Sequence, residues 1–170
     1  MSNSVKEEVL IIFGLNENTT KKNNENGTTN RWYIYSTSEI VEKINAAVNS
    51  GKFSKIILVE SDISIFNFEN HNSNMNIKVF GKNFLSSENE ITIWDREGQS
   101  MIFNGDNFDF LLPPGTFNLN VAGVDLVGLL SSSIVELSSL KYYITFNPSL
   151  VKSYKDVTYS RIRGFCKIEK

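Results

Sequence analysis

Few side chains in this sequence can serve as acid, base, nucleophile or metal ligand. His71 is the only histidine and Cys166 the only cysteine. A thiolate with an imidazole as its base needs both groups within hydrogen-bond reach and a third group to orient the imidazole. Here His71 lies in an asparagine-rich loop and Cys166 in an expected strand, with no shared local signature. One sulfur and one imidazole also fall short of the ligand set of a structural zinc site. Asp106, Asn107 and Asp109 in NGDNFD lack the glycine and closing glutamate of a calcium loop. The glycine-rich patterns that cradle phosphates and the G-x-S-x-G elbow are absent too. No catalytic residue, cofactor or metal is therefore expected from motifs. Glu60, Asp62, Glu88, Glu90, Asp95 and Glu97 could supply a carboxylate pair for hydrolysis, but their spacing selects none.

Charge is more informative. The 170 residues carry a net charge of -2, too small to draw the chain to nucleic acid or anionic lipid. The acids concentrate between residues 57 and 125, whereas residues 126–170 are basic. Asp95 and Glu97 share the turn DREG, and Asp106 and Asp109 lie around the next one. These four carboxylates are the expected partner-binding residues, facing a cationic protein whose capture they would accelerate. The leading expectation is a small protein-binding module, an inhibitor of the immunity or antitoxin kind that masks a basic, toxin-like protein. The alternative is a hydrolase with a carboxylate-based site, and a structural or assembly protein stands behind both. Arg161, Arg163, Lys167 and Lys170 beside Tyr142, Tyr143, Tyr154, Tyr159 and Phe165 have the chemistry to bind single-stranded nucleic acid. On a slightly acidic chain, the simpler role for such a basic strand is edge protection.

Hydrophobic patterning predicts the elements that hold these groups. Residues 55–68 read as the central wall of a sheet, an apolar strand at 55–59 and an alternating one at 63–68. An apolar strand at 9–13 precedes residues 16–30, which contain no apolar side chain and read as a flexible polar loop. Ser36 and Glu39 fit a capping box, and Ile40, Val41, Ile44, Ala47 and Val48 recur at helical spacing up to Gly51. Short runs at 77–80, 91–94, 100–103, 108–112 and 116–121, separated by tight turns, read as an antiparallel meander with one wet face. Leu126, Leu130, Ile134 and Leu137 mark a second helix over 125–140. Strands at 141–146, ended by Pro148, and at 157–168 close the chain. The predicted fold is a single α+β domain over 1–170, with a mixed, mostly antiparallel sheet and two main helices.

The opening residues lack the basic region and cleavage site of a secretory signal, and no apolar stretch is long enough for a membrane span. A single cysteine can form no internal disulfide. The expected location is the cytoplasm.

Overall fold

An apolar run without polar alternation, such as Val9 to Phe13, is stable as a strand only where both of its faces are covered. In the computed structural model all five residues are fully buried, in strand β1 (Glu7–Phe13). The structure describes residues 6–15, 37–59, 61, 65–66, 76–80, 113–124, 129–152 and 162–169. In chain order β1 is followed by helix α1 (Thr37–Asn49), β2 (Lys55–Val59), β3 (Asn76–Phe80), β4 (Phe117–Gly123), helix α2 (Leu129–Ser139), β5 (Tyr143–Val151) and β6 (Lys167–Ile168). The six strands form one sheet in the order β3-β2-β1-β4-β5-β6, and every neighbouring pair is parallel.

Each helix covers one face. Alternate residues of β1 divide between two apolar layers. Leu10 and Ile12 meet Ile56, Leu58 and the α1 stripe Ile40, Ile44 and Val48. Val9, Ile11 and Phe13 meet Ile57, Val59, Leu119, Val121 and the α2 stripe Leu130, Ile134 and Leu137. Helix α1 carries an exposed Lys43–Glu39 pair at 3.3 Å on its outer side. It ends at Gly51, whose φ of 79° is the left-handed conformation that closes a helix without a Cβ penalty. Among the described residues, no helix is long and apolar enough to cross a membrane.

This arrangement corrects the antiparallel α+β prediction to an all-parallel α/β sheet. Periodicity finds strands but not their direction, and β4 shows why the alternation misled. Phe117, Leu119 and Val121 do lie in one apolar layer, yet the intervening Asn120 and Ala122 are buried as well. The supposedly wet face is an interior one. Residues 55–59 form a strand as expected, but β2 lies one place from the edge and the centre belongs to β1 and β4. Ile65 and Phe66 are not in a strand. Pro148 does not end β5 either. The register with β4 jumps from Val121↔Phe146 to Gly123↔Val151, so proline occupies a bulge where the ladder needs no donor. Of the strand expected at 157–168, residues 157–161 lie outside the described residues; among the described ones Lys167–Ile168 form a strand and Gly164 sits in a turn. The expected strands at 91–94, 100–103 and 108–112, the 16–30 loop and Ser36 lie outside the described residues.

Two stability measurements follow. Truncating Leu10 or Ile11 to Ala, each removing buried volume from a different layer, is expected to cost roughly 2–5 kcal/mol in denaturant unfolding. The Ser133 hydroxyl is buried in α2 without a hydrogen-bond partner. Ser133→Ala is therefore expected to leave stability unchanged or raise it by up to about 1 kcal/mol, the reverse of an ordinary polar truncation.

Candidate functional site

In open α/β sheets, ligands lie outside the carboxyl ends of the strands where the strand order reverses. That point falls here between β1 and β4, which end at Phe13 and Gly123. Their main chains approach unusually closely. The Val124 amide donates to the Phe13 carbonyl at 2.9 Å, and the Gly14 amide donates to the Val59 carbonyl at 2.9 Å. Gly14 and Gly123 adopt φ of 70° and 107°. A Cβ at Gly14 would overlap the Val124 carbonyl oxygen, and one at Gly123 the Phe13 carbonyl oxygen. Backbone thus closes the crevice floor, and only glycine permits it.

Ser61 completes this rim. Its hydroxyl is fully buried and accepts the Leu15 amide at 3.1 Å. The same oxygen lies 3.2 Å from the carbonyls of both Ile12 and Val59, to which it can donate. Leu15, Phe66, Val124 and Leu150 are buried in the apolar layer below. The described part of the carboxyl rim therefore offers shape, an apolar base and one flanking cation, Lys152, whose main-chain amide donates to the Gly123 carbonyl at 3.0 Å where β5 ends. Among the described residues, no group of three His, Cys, Asp or Glu side chains is placed to hold a metal ion. In chain order, Glu60 and Asp62 flank Ser61, and Asp125 follows Val124.

Cys166 is at the other edge. The pairing of Thr145 with Lys167 puts the cysteine level with Ile144, near the amino end of β5. Its Sγ donates to the Ile162 carbonyl at 3.6 Å. Burial pushes its pKa up from 9.0 to about 11, so the group is a neutral thiol at physiological pH, the opposite of an activated nucleophile. His71 lies outside the described residues, as do Asp95, Glu97, Asp106 and Asp109. Of the basic and aromatic set, Tyr142 is buried while Tyr143 and Phe165 are 53% and 42% exposed. The Lys6 ammonium lies 4.0 Å from the Tyr143 ring centre.

Sequence reasoning missed one polar constellation entirely. On the α1 face, near the amino ends of the strands, Glu8 accepts the Asn118 side-chain amide at 2.8 Å and the Asn120 amide at 3.2 Å. Asn120 also donates to the Val9 carbonyl at 3.2 Å, and Thr145 donates to Asn118 Oδ1 at 3.1 Å. The signal was the alternation of Asn118 and Asn120 in FNLNV, which reads as a solvated face until a half-buried acceptor is placed beside it.

No protein-family model matches the chain, and neither does any curated protein. Solved structures do. The nicotinamidase of Staphylococcus aureus superposes with a TM-score of 0.56 at 12% identity, covering 89% of this chain and 85% of its own. An isochorismatase family protein gives 0.55 at 13% identity, covering 96% and 98%. The N-carbamoylsarcosine amidase of Thermoplasma acidophilum gives 0.60 at 10% identity, covering 96% of each chain. The likeness is one of fold, and it is almost end to end. It corrects the reading as an immunity protein, antitoxin or other toxin inhibitor: the chain shares its architecture with a nicotinamidase, an isochorismatase family protein and an N-carbamoylsarcosine amidase.

Gly123→Ala is expected to destabilise the protein by more than about 2 kcal/mol, because it adds a positive-φ penalty to a backbone clash. Gly115, with positive φ but open space around it, is the control that isolates the first of these costs. Alkylation of Cys166 by iodoacetamide is expected to be slow at pH 7.5 in the native protein and fast after denaturation, with the native rate climbing as pH rises toward 11. The raised pKa also means that burial of the neutral thiol stabilises the fold fully below pH 9.0, a contribution lost as pH rises through about 11.

Proposed function

We propose that the chain is a hydrolase that cleaves an amide-type carbon–nitrogen bond of a small molecule at the carboxyl edge of its sheet. The observation that carries this reading is the single-domain, all-parallel sheet in the order β3-β2-β1-β4-β5-β6, superposing over 89–96% of the chain on the three solved structures. The inference from fold to chemistry is one of analogy, and the residues of this chain limit what the chemistry can be.

A thiol nucleophile does not fit. The one cysteine is neutral, and it sits at the amino edge. The carboxylates nearest to the rim in chain order are Glu60 and Asp62 after β2 and Asp125 after β4. One carboxylate takes a proton from water as the water oxygen bonds to the substrate carbonyl carbon. The carbon–nitrogen bond then breaks as that proton passes to the leaving nitrogen, giving a carboxylic acid and ammonia or an amine. General-base assistance of this kind contributes about 10²–10⁴-fold. A cytoplasmic location accords with this reading, since a reducing compartment preserves the unpaired thiol.

The test is release of ammonia from a panel of aromatic primary amides and N-carbamoyl amino acids. Wild type and Cys166→Ala are expected to turn over equally, whereas Asp125→Asn or Glu60→Gln lowers kcat by about 10²–10⁴-fold for whichever residue is the base. Absence of turnover by wild type across the panel overturns the hydrolase reading. Loss of activity in a folded Cys166→Ala overturns the carboxylate chemistry alone.

A further inference from the structure

Two serines tie β1 to β2, one at each end. At the amino edge, Ser54 donates from its main-chain amide to the Glu8 carbonyl at 3.0 Å, and its hydroxyl lies 3.3 Å from the same oxygen. The hydroxyl adds little there, because the backbone already makes the link. At the carboxyl edge the main-chain bond from the Gly14 amide to the Val59 carbonyl is followed by a hydroxyl link one residue further along. Ser61 Oγ accepts the Leu15 amide and contacts the Ile12 and Val59 carbonyls. β2 ends at Val59, two residues before Ser61, and β1 ends at Phe13, two residues before Leu15.

We propose that Ser61 is a positioning residue of the carboxyl-edge site: its buried hydroxyl sets the direction in which the chain leaves β1 and β2, and so the geometry of the groups those strands deliver to the substrate. This rests on the reading of that edge as the active site. Ser61 stands between Glu60 and Asp62 in the chain. The amides of Gly14 and Val124 are committed to the Val59 and Phe13 carbonyls, so the rim has no slack near the crevice to absorb a change in how Ser61 is anchored. Removing the hydroxyl also leaves the buried Leu15 amide without its acceptor, and the chain there must shift to find another.

The experiment compares Ser61→Ala with Ser54→Ala in the full chain. It measures the melting temperature, hydrogen exchange at the Leu15 amide, and kcat and KM for an amide that wild type hydrolyses. Ser61→Ala is expected to speed exchange at Leu15 and Gly14 and to lower kcat at least about tenfold with a smaller change in KM, the scale that misplacement by a fraction of an ångström produces. Ser54→Ala leaves kcat at the wild-type value, and Ser61→Cys, which keeps a weaker donor and acceptor, restores part of the loss. Equal losses of kcat in the two alanine variants, or wild-type kcat and wild-type Leu15 exchange in Ser61→Ala, overturn the proposal. If Ser61→Ala does not fold, Ser61→Cys against wild type carries the same comparison. Should wild type hydrolyse no amide, the hydrolase reading fails by itself and exchange decides: acceleration confined to Leu15 and Gly14 and absent from Ser54→Ala supports the clasp, and uniform or unchanged exchange overturns it.

Discussion

Burial of β1 on both faces is the constraint from which the architecture follows. Five consecutive side chains, Val9 to Phe13, have no contact with solvent. A strand in that position needs strands on both sides and a cover above and below. β2 and β4 provide the sides, α1 and α2 the covers. Because each connection carrying a helix returns the chain to the edge it started from, the strands come out parallel. Their carboxyl ends are then collected on one side of the molecule. The site is a by-product of the packing: a rim where strands stop, built before any catalytic group is considered.

Within the α1 layer, the polar cluster around Glu8 stands out. Placing a carboxylate and two side-chain amides among Leu10, Ile12 and Ala122 is costly unless each finds a partner. They find one another, and the result joins β1, β4 and β5 through side chains as well as through the ladder. A one-residue slip of β4 would move Asn118 and Asn120 to the α2 face, away from Glu8 and Thr145. The cluster therefore specifies register, a role open to polar groups that apolar packing fills less sharply.

The two ends of the sheet are built for different tasks. At the carboxyl end, paired glycines let β1 and β4 touch through their main chains, and Ser61 stitches the exits of β1 and β2. At the amino end lie Cys166, Tyr143 and Phe165. The most reactive element in the composition is thus set apart from the rim by the direction of the chain, and burial keeps it protonated. In chain order, Glu60 and Asp62 follow β2, Asp125 follows β4 and Lys152 follows β5.

Local order was legible in the sequence, because it depends on neighbours along the chain. The 3.6-residue spacing of Ile40, Ile44 and Val48, the glycine at position 51 and the apolar runs at 9–13 and 55–59 identified α1, β1 and β2 nearly to the residue. The α2 stripe of Leu130, Ile134 and Leu137 was visible in the same way. Strand direction was not, since a period of two is identical in parallel and antiparallel pairs. It follows instead from which strands the helices bridge, and that is a contact between distant residues. The same holds for the candidate site. Nothing near Ser61 in sequence reveals a tie to Leu15, and nothing near Asn118 reveals Glu8 more than a hundred positions away. An asparagine beside a leucine looks solvated until folding brings it a carboxylate. Composition determined that the chain carries one thiol and many carboxylates. Only the tertiary structure decided which end of the sheet the thiol faces, because that depends on the order and direction of strands that meet across the whole length of the chain.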